Sequence, residues 1–192
     1  MPGSIKIDDG SGNYTILTNA GSLGSDKTIT IPNTTGTLAL TSDSFGKVLQ
    51  VVQATSSTST NRTATSYGDT TLTGSITPSA TGSKVLVLIS QIMDCSSNST
   101  QNNEVAVKVV RTISSTDTDI YENTAFMKLN ADYGAFGYSQ TRGTYSILIL
   151  DSPSTTSATT YKTQFKNNLS NGSATAQISN MPSHIILMEI GA

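Results

Sequence analysis

Charge is scarce in this 192-residue chain: 12% of its residues are Asp, Glu, Lys or Arg, and the formal net charge is -2. That is about half the usual ~25%. No basic run interrupts it and the pI is near 5.2, so the electrostatic footprint that a phosphate backbone requires is missing. No nucleic-acid partner is expected. Cys95 and His184 are the single cysteine and the single histidine, and tryptophan is absent. One thiol excludes an intrachain disulfide, and neither side chain has a ligand-spaced companion, so no zinc-type site and no cofactor is expected. Apolar runs stop at about five residues, far below the ~20 of a membrane helix. The opening Met1-Pro2-Gly3-Ser4 lacks the charged and then apolar regions of an export signal. A soluble chain without membrane insertion is the expectation.

Hydroxyl groups stand where charges are missing, in 31 threonines and 28 serines. Disorder needs low hydrophobicity together with high net charge, and the second condition fails here. Helical periodicity is nearly absent. Period-2 alternation recurs instead in short pieces divided by Gly, Asn, Ser and Pro, which is the pattern of an all-β fold. Six N-x-S/T triplets, beginning at Asn13, follow from a composition rich in Asn, Ser and Thr.

Residues 1–44 hold two small hairpins. The first runs Ile5-Lys6-Ile7, a turn at Asp8 to Gly12, then Tyr14 to Thr18; the second runs Thr28 to Ile31, a turn at Pro32 to Gly36, then Thr37 to Thr41. Two hairpins bury too little surface to stand alone, so this segment needs a partner surface. A larger β domain, 45–192, follows a short joint at Ser42-Asp43-Ser44. Its expected strands are Gly46 to Val52, Thr70 to Thr77, Lys84 to Gln91, Glu104 to Thr112, Ile120 to Asn123, Thr144 to Leu150, Thr159 to Lys166, Ala174 to Ser179 and Ile185 to Ile190. This number of strands suits a sandwich or an antiparallel jelly roll.

Two segments alternate cleanly: Tyr161, Thr163 and Phe165 face inward while Lys162, Gln164 and Lys166 face water, and Ala174 to Ser179 follows the same rule. Three segments break it. Val85-Leu86-Val87-Leu88-Ile89, Ile147-Leu148-Ile149-Leu150 and Ile185-Ile186-Leu187-Met188 are apolar on both faces, whereas a sheet with one wet face alternates. Leu86, Leu88, Leu148, Leu150, Ile186 and Met188 are therefore candidates for an oligomer interface or for core. Association of identical chains would cover the second face; a loop or the N-terminal segment of the same chain is the plainer alternative.

The stretch Thr28-Ile29-Thr30-Ile31-Pro32-Asn33-Thr34-Thr35-Gly36-Thr37-Leu38-Ala39-Leu40-Thr41-Ser42-Asp43 resembles a module that recurs in bacteriophage tail-fibre proteins, and Asp8 to Tyr14 looks like its upstream half. Leu150 to Lys162 is similar to a segment of the C-terminal head domains of virion proteins, with Leu187-Met188-Glu189-Ile190 resembling their closing strand. The resemblance implies a homotrimeric virion appendage: a β-hairpin stalk over 1–44 that docks to other virion proteins, and a jelly-roll, TNF-like head over 45–192. It implies no activity. Since only about 44 residues precede the head, a short spike, collar piece or capsid decoration is expected rather than a long fibre.

Catalytic signatures are missing: there is no G-x-S-x-G, P-loop, C-x-x-C or H-E-x-x-H. No catalytic residue is expected; a small polysaccharide depolymerase is the enzymatic alternative. Asp117, Asp119 and Glu122 place three carboxylates around an expected turn, as a hard-cation site or as a solvated tip. His184 reads as a strand-edge residue. The best recognition candidate is Tyr133-Gly134-Ala135-Phe136-Gly137-Tyr138 with Gln140 and Arg142 nearby. Glycines beside aromatic rings present ring faces to sugar C–H surfaces, while Gln and Arg bond hydroxyls of a host glycan; rings closing the end of the sandwich core are the alternative. The expectation is a structural virion protein, not an enzyme.

Overall fold

A computed structural model of the chain describes residues 5–8, 11, 14–17, 46–98, 100–130 and 138–191. The chain divides into two compact units, Met1–Asp43 and Ser44–Ala192. In the first, β1 (Ile5–Asp8) pairs antiparallel with β2 (Tyr14–Leu17), Ile5 opposite Leu17. The second expected hairpin lies outside the described residues.

The second unit is built from β3 (Val48–Ser56), β4 (Thr60–Arg62), β5 (Gly68–Ile76), β6 (Lys84–Ser97), β7 (Asn103–Ile113), β8 (Thr116–Leu129), β9 (Ser139–Asp151), β10 (Thr159–Asn167), β11 (Gly172–Ala176) and β12 (Ser183–Ile190). Its pairs are all antiparallel. One sheet runs β5-β10-β7-β8. In the other, the long β6 pairs along one edge with β12 and then with β11, and along its opposite edge with β9. β12 in turn pairs with β3, and β11 with β4. The two short pairs are thus halves of two interrupted strands, and the sheet reads β3/β4, β12/β11, β6, β9. Four strands over four in this order form a jelly-roll sandwich, the all-β class that the alternation pointed to.

The core lies between the sheets, where period 2 sends alternate side chains. From one side come Leu72, Val105, Val107, Val109, Tyr161 and Phe165; from the other come Val85, Val87, Ile89, Met93, Ile147, Ile185 and Leu187, all buried. Tyr161, Thr163 and Phe165 point inward as expected, with Lys162, Gln164 and Lys166 on the opposite face.

Two expectations need correction. The strand expected over Ala174 to Ser179 stops at Ala176, because Gln177 adopts a left-handed φ of 51° and a 3-10 turn follows over Ile178–Asn180. As far as Ala176 the expected alternation holds: Ala174 and Ala176 enter the core while Thr175 faces the other way, covered by its neighbours. The acidic tip expected near Asp117 is strand: only Ser114 and Ser115, at φ 48° and 65°, turn the chain from β7 into β8. Positive φ at both central residues gives the primed turn whose twist suits a tight hairpin.

Two buried carboxylates tie the elements together. Asp151 of β9 accepts two hydrogen bonds from Arg111 Nη1 of β7, at 2.8 and 3.0 Å, and one from Tyr161 Oη of β10 at 2.7 Å. One charge pair and one phenol thereby join the two sheets, and removal of either ion would leave the other buried and uncompensated. Burial, and then the bond to Asp151, pushes the Tyr161 phenol up. Glu189 of β12 is fully buried. Its Oε1 accepts from Ser79 N and Ser79 Oγ at 2.7 and 2.6 Å, and its Oε2 from Gln50 Nε2 at 2.6 Å. This clamps the β5–β6 connection onto the end of the sandwich.

Burial alone would push the Glu189 carboxyl up, but the donors from Ser79 and Gln50 outweigh it and hold it at about 2. A lowered value means the contribution is fully present above the ordinary value of 4.5 and is lost as pH falls through about 2. Between those pH values the wild type should lose on the order of 2–3 kcal/mol that Glu189→Gln does not lose. Urea unfolding across this range checks it; parallel pH profiles for the two proteins would contradict it.

Candidate functional site on one outward sheet face

The two outward faces of the sandwich differ in chemistry. On the sheet β5-β10-β7-β8, charges are interleaved: Lys162 lies 3.3 Å from Asp69 and 3.1 Å from Asp117, and Lys108 lies 2.9 Å from Asp119. Tyr67 donates to Glu122 at 2.9 Å, and its ring sits under the ammonium groups of Lys108 and Lys166 at 4.9 and 4.8 Å. This face is made for water. Asp117, Asp119 and Glu122 are each engaged by a separate partner on it. Among the described residues, no three His, Cys, Asp or Glu side chains gather to hold a metal ion.

The outward face of the other sheet is apolar over one half. The registers set Val51, Met188, Leu86 and Leu150 in one cross-strand row, and Gln53, Ile186, Leu88 and Leu148 in the next. Leu148 is 69% exposed, Val51 57% and Leu150 54%; the four side chains on the central strands β12 and β6 are half-buried between them. The six residues singled out from the doubly apolar runs therefore form one contiguous patch. Each run alternates between core and this face, because period 2 divides a continuous apolar strand equally.

Further along the strands the patch gives way to a row of Thr55, His184, Ser90 and Ser146. His184 is not at a strand edge, as its sequence context suggested: β12 lies between β3 and β6, and the ring Nδ1 is 3.1 Å from Thr55 Oγ1. Leu88, Ile186, Leu148 and His184 help line a depression of about 420 Å³ there.

The far half of the same face is polar. Asn61, Thr175, Asp94 and Arg142 form one row, with Asn61 Nδ2 donating to Thr175 Oγ1 at 2.8 Å and Arg142 Nε donating to Asp94 Oδ1 at 3.3 Å. Asp94 is only 2% exposed. Ser173, Ser96 and Gln140 follow in the next row.

Gln140 and Arg142 thus belong to strand β9 and not to a loop, with exposed Tyr138 just before it. Tyr133 and Phe136 lie outside the described residues. Sequence reasoning missed Val51 and Leu49, which are exposed on β3, and Asp94 as the counter-charge of Arg142. The run Val48-Leu49-Gln50-Val51-Val52 carried a signal for the first two, being apolar at both parities. Asp94 carried none, since only the β6–β9 register puts it opposite Arg142. Burial pushes the Cys95 thiol up to about 11, so this inward-facing group is not a nucleophile at neutral pH.

Neither a known protein family nor a curated protein matches the chain. Among solved structures it is similar to that of infectious bursal disease virus, Gx strain, at 10% identity and a TM-score of 0.33, over 76% of this chain and 38% of that one. The chain spans well under half of that neighbour's length. A similarity of this size carries no inference, and the fold assignment rests on the strand pairings. No helix among the described residues is long and apolar enough to cross a membrane.

Proposed function

We propose that this chain is a structural, non-enzymatic protein of a bacteriophage virion: a homotrimeric appendage of the tail-fibre or spike type. In this reading the jelly-roll unit is the head, and residues 1–44 dock it to other virion proteins. The apolar half-face on β3, β12, β6 and β9 is the observation that carries the reading. Its seven apolar side chains expose on the order of 500 Å², at the upper end of the largest patch on an ordinary monomer.

Covering that area is worth on the order of 12 kcal/mol per copy in gross hydrophobic free energy. Association costs roughly 4–15 kcal/mol in lost freedom, so the patch is of the size that offsets it. The charged face of the opposite sheet offers no comparable gain. Identical chains are the natural cover, because a closed ring around a symmetry axis hides the same patch on every copy. The tail-fibre-like motif at 28–43 and the head-like segments at 150–162 and 187–190 supply the virus context and the number three. The jelly roll is also an architecture that viral shells and lectins use.

Host contact fits the polar half of the face best. There Gln140 and Arg142 stand on a rigid strand beside exposed Tyr138, hydrogen-bonding groups next to a ring of the kind that a glycan engages. Three copies would convert weak contacts into useful avidity.

Antibody labelling of purified particles should find the chain on the virion surface, at the tail or on the capsid; particles free of it would end the virion reading. Leu148→Lys should leave a folded chain with an unchanged circular dichroism spectrum, because the side chain is exposed in the single molecule. The same change should abolish assembly in size-exclusion chromatography with light scattering. A Leu148→Lys protein that assembles like the wild type would remove the face from the interface.

A further inference from the structure

We infer that the polar half of the outward face selects an uncharged saccharide over an acidic one, with Arg142 as the reading group and Asp94 as the residue that sets the selectivity. The inference deepens the host-contact reading above and rests on it. Of the three arginines, Arg111 spends its Nη1 on Asp151 and Arg62 its Nη2 on Ser66. Arg142 is used differently. Its Nε donates to Asp94 Oδ1 at 3.3 Å, and among the described residues its two Nη groups meet no partner. The arginine side chain is 37% exposed, its carboxylate partner 2%. A fork of N–H donors therefore stands at the surface, steered from beneath by a buried acid.

A free arginine fork ordinarily takes a carboxylate or a phosphate, because its paired N–H groups match two oxygens and the charges attract. Here the attraction is offset in advance. Asp94 lies against the same guanidinium, so an arriving carboxylate meets a negative charge directly behind the positive one. The neighbouring side chains do not tip the balance back. Thr175 and Asn61 continue the row, Gln140, Ser96 and Ser173 form the next one, and Thr144 stands on the other side of Arg142 along β9. None of them carries a charge. The chain's net charge of -2 also opposes an acidic polymer at long range.

What survives is the geometric match without the gain in charge. Two adjacent hydroxyl oxygens of a sugar ring give the fork its two acceptors and bring no net charge. Each hydroxyl also donates, and exposed Gln140, Asn61 and Thr144 offer side-chain oxygens to receive it. The exposed ring of Tyr138 supplies a face for the sugar's C–H groups. Discrimination against the acidic ligand thus comes from a charge placed to repel it, not from an added contact to the neutral one.

Binding of the full chain to an immobilised array of neutral hexose and N-acetylhexosamine oligosaccharides, set beside uronic-acid and sialic-acid counterparts, tests this. The wild type should prefer the neutral members by about tenfold, and their binding should change little between about 50 and 500 mM salt. Arg142→Gln should lose them. Asp94→Asn keeps an oxygen for Arg142 Nε but removes the charge, and should turn the preference toward the acidic members, a gain that fades at high salt. Thr144→Lys adds a cation at an exposed position beside Arg142 and leaves Asp94 in place. It should shift the preference the same way, which keeps the test open if Asp94→Asn fails to fold. An Arg142→Gln protein that binds like the wild type would overturn the inference and leave host contact to another part of the surface. A wild type that takes acidic members as well as neutral ones would overturn it, as would an unchanged preference in the charge variants. A wild type that binds no member of the array would remove the host-glycan reading and the inference together, while the virion reading would still stand or fall with antibody labelling.

Discussion

A sheet that is apolar on both faces must be covered on both, and the rest of this molecule is arranged around that requirement. The inner face is met by the second sheet, in the usual manner of a sandwich. The outer face is not, and Leu148 and Leu150 stand exposed on the edge strand β9 with Val51 on the opposite edge strand. With so few charges available, the chain wets one outward face with paired lysines and carboxylates and leaves half of the other apolar and exposed. The asymmetry between the two faces, more than the amount of apolar surface, sets this half-face apart.

Rigidity of that face follows from what lies beneath it. Val85, Val87, Ile185 and Leu187 fix β6 and β12 from below, while Asp151, bound to Arg111 and Tyr161, anchors the end of β9 to the opposite sheet. The side chains of the patch are therefore presented at the spacing of a regular antiparallel ladder, about 4.8 Å between strands. Strain is confined to the joints. Gln177, Ser179 and Asn180 take left-handed conformations where the strand formed by β11 and β12 breaks.

Much of this was legible in the residues, and what was not has physical reasons. The doubly apolar runs at 85–89, 147–150 and 185–188 identified the patch, because period 2 makes the second face visible in one dimension. The alternation of Tyr161, Thr163 and Phe165 identified the inward face of β10 for the same reason. β8 was read too short, since its exposed edge carries Thr and Asp at successive positions and shows little contrast. The break at Gln177 left no mark, because a non-glycine residue at positive φ has no signature in composition. The pairing of Asp94 with Arg142 depends on a register between positions 48 residues apart, which no local pattern encodes.

In the proposed reading the function is mechanical before it is chemical: a hydroxyl-rich β sandwich that becomes multivalent by hiding one half-face against its own copies. Sedimentation equilibrium of the wild-type chain over a range of micromolar loading concentrations at neutral pH measures this most directly. The account predicts a single species of three times the 20.1 kDa chain mass. A well-behaved species of one chain mass at every concentration would contradict it.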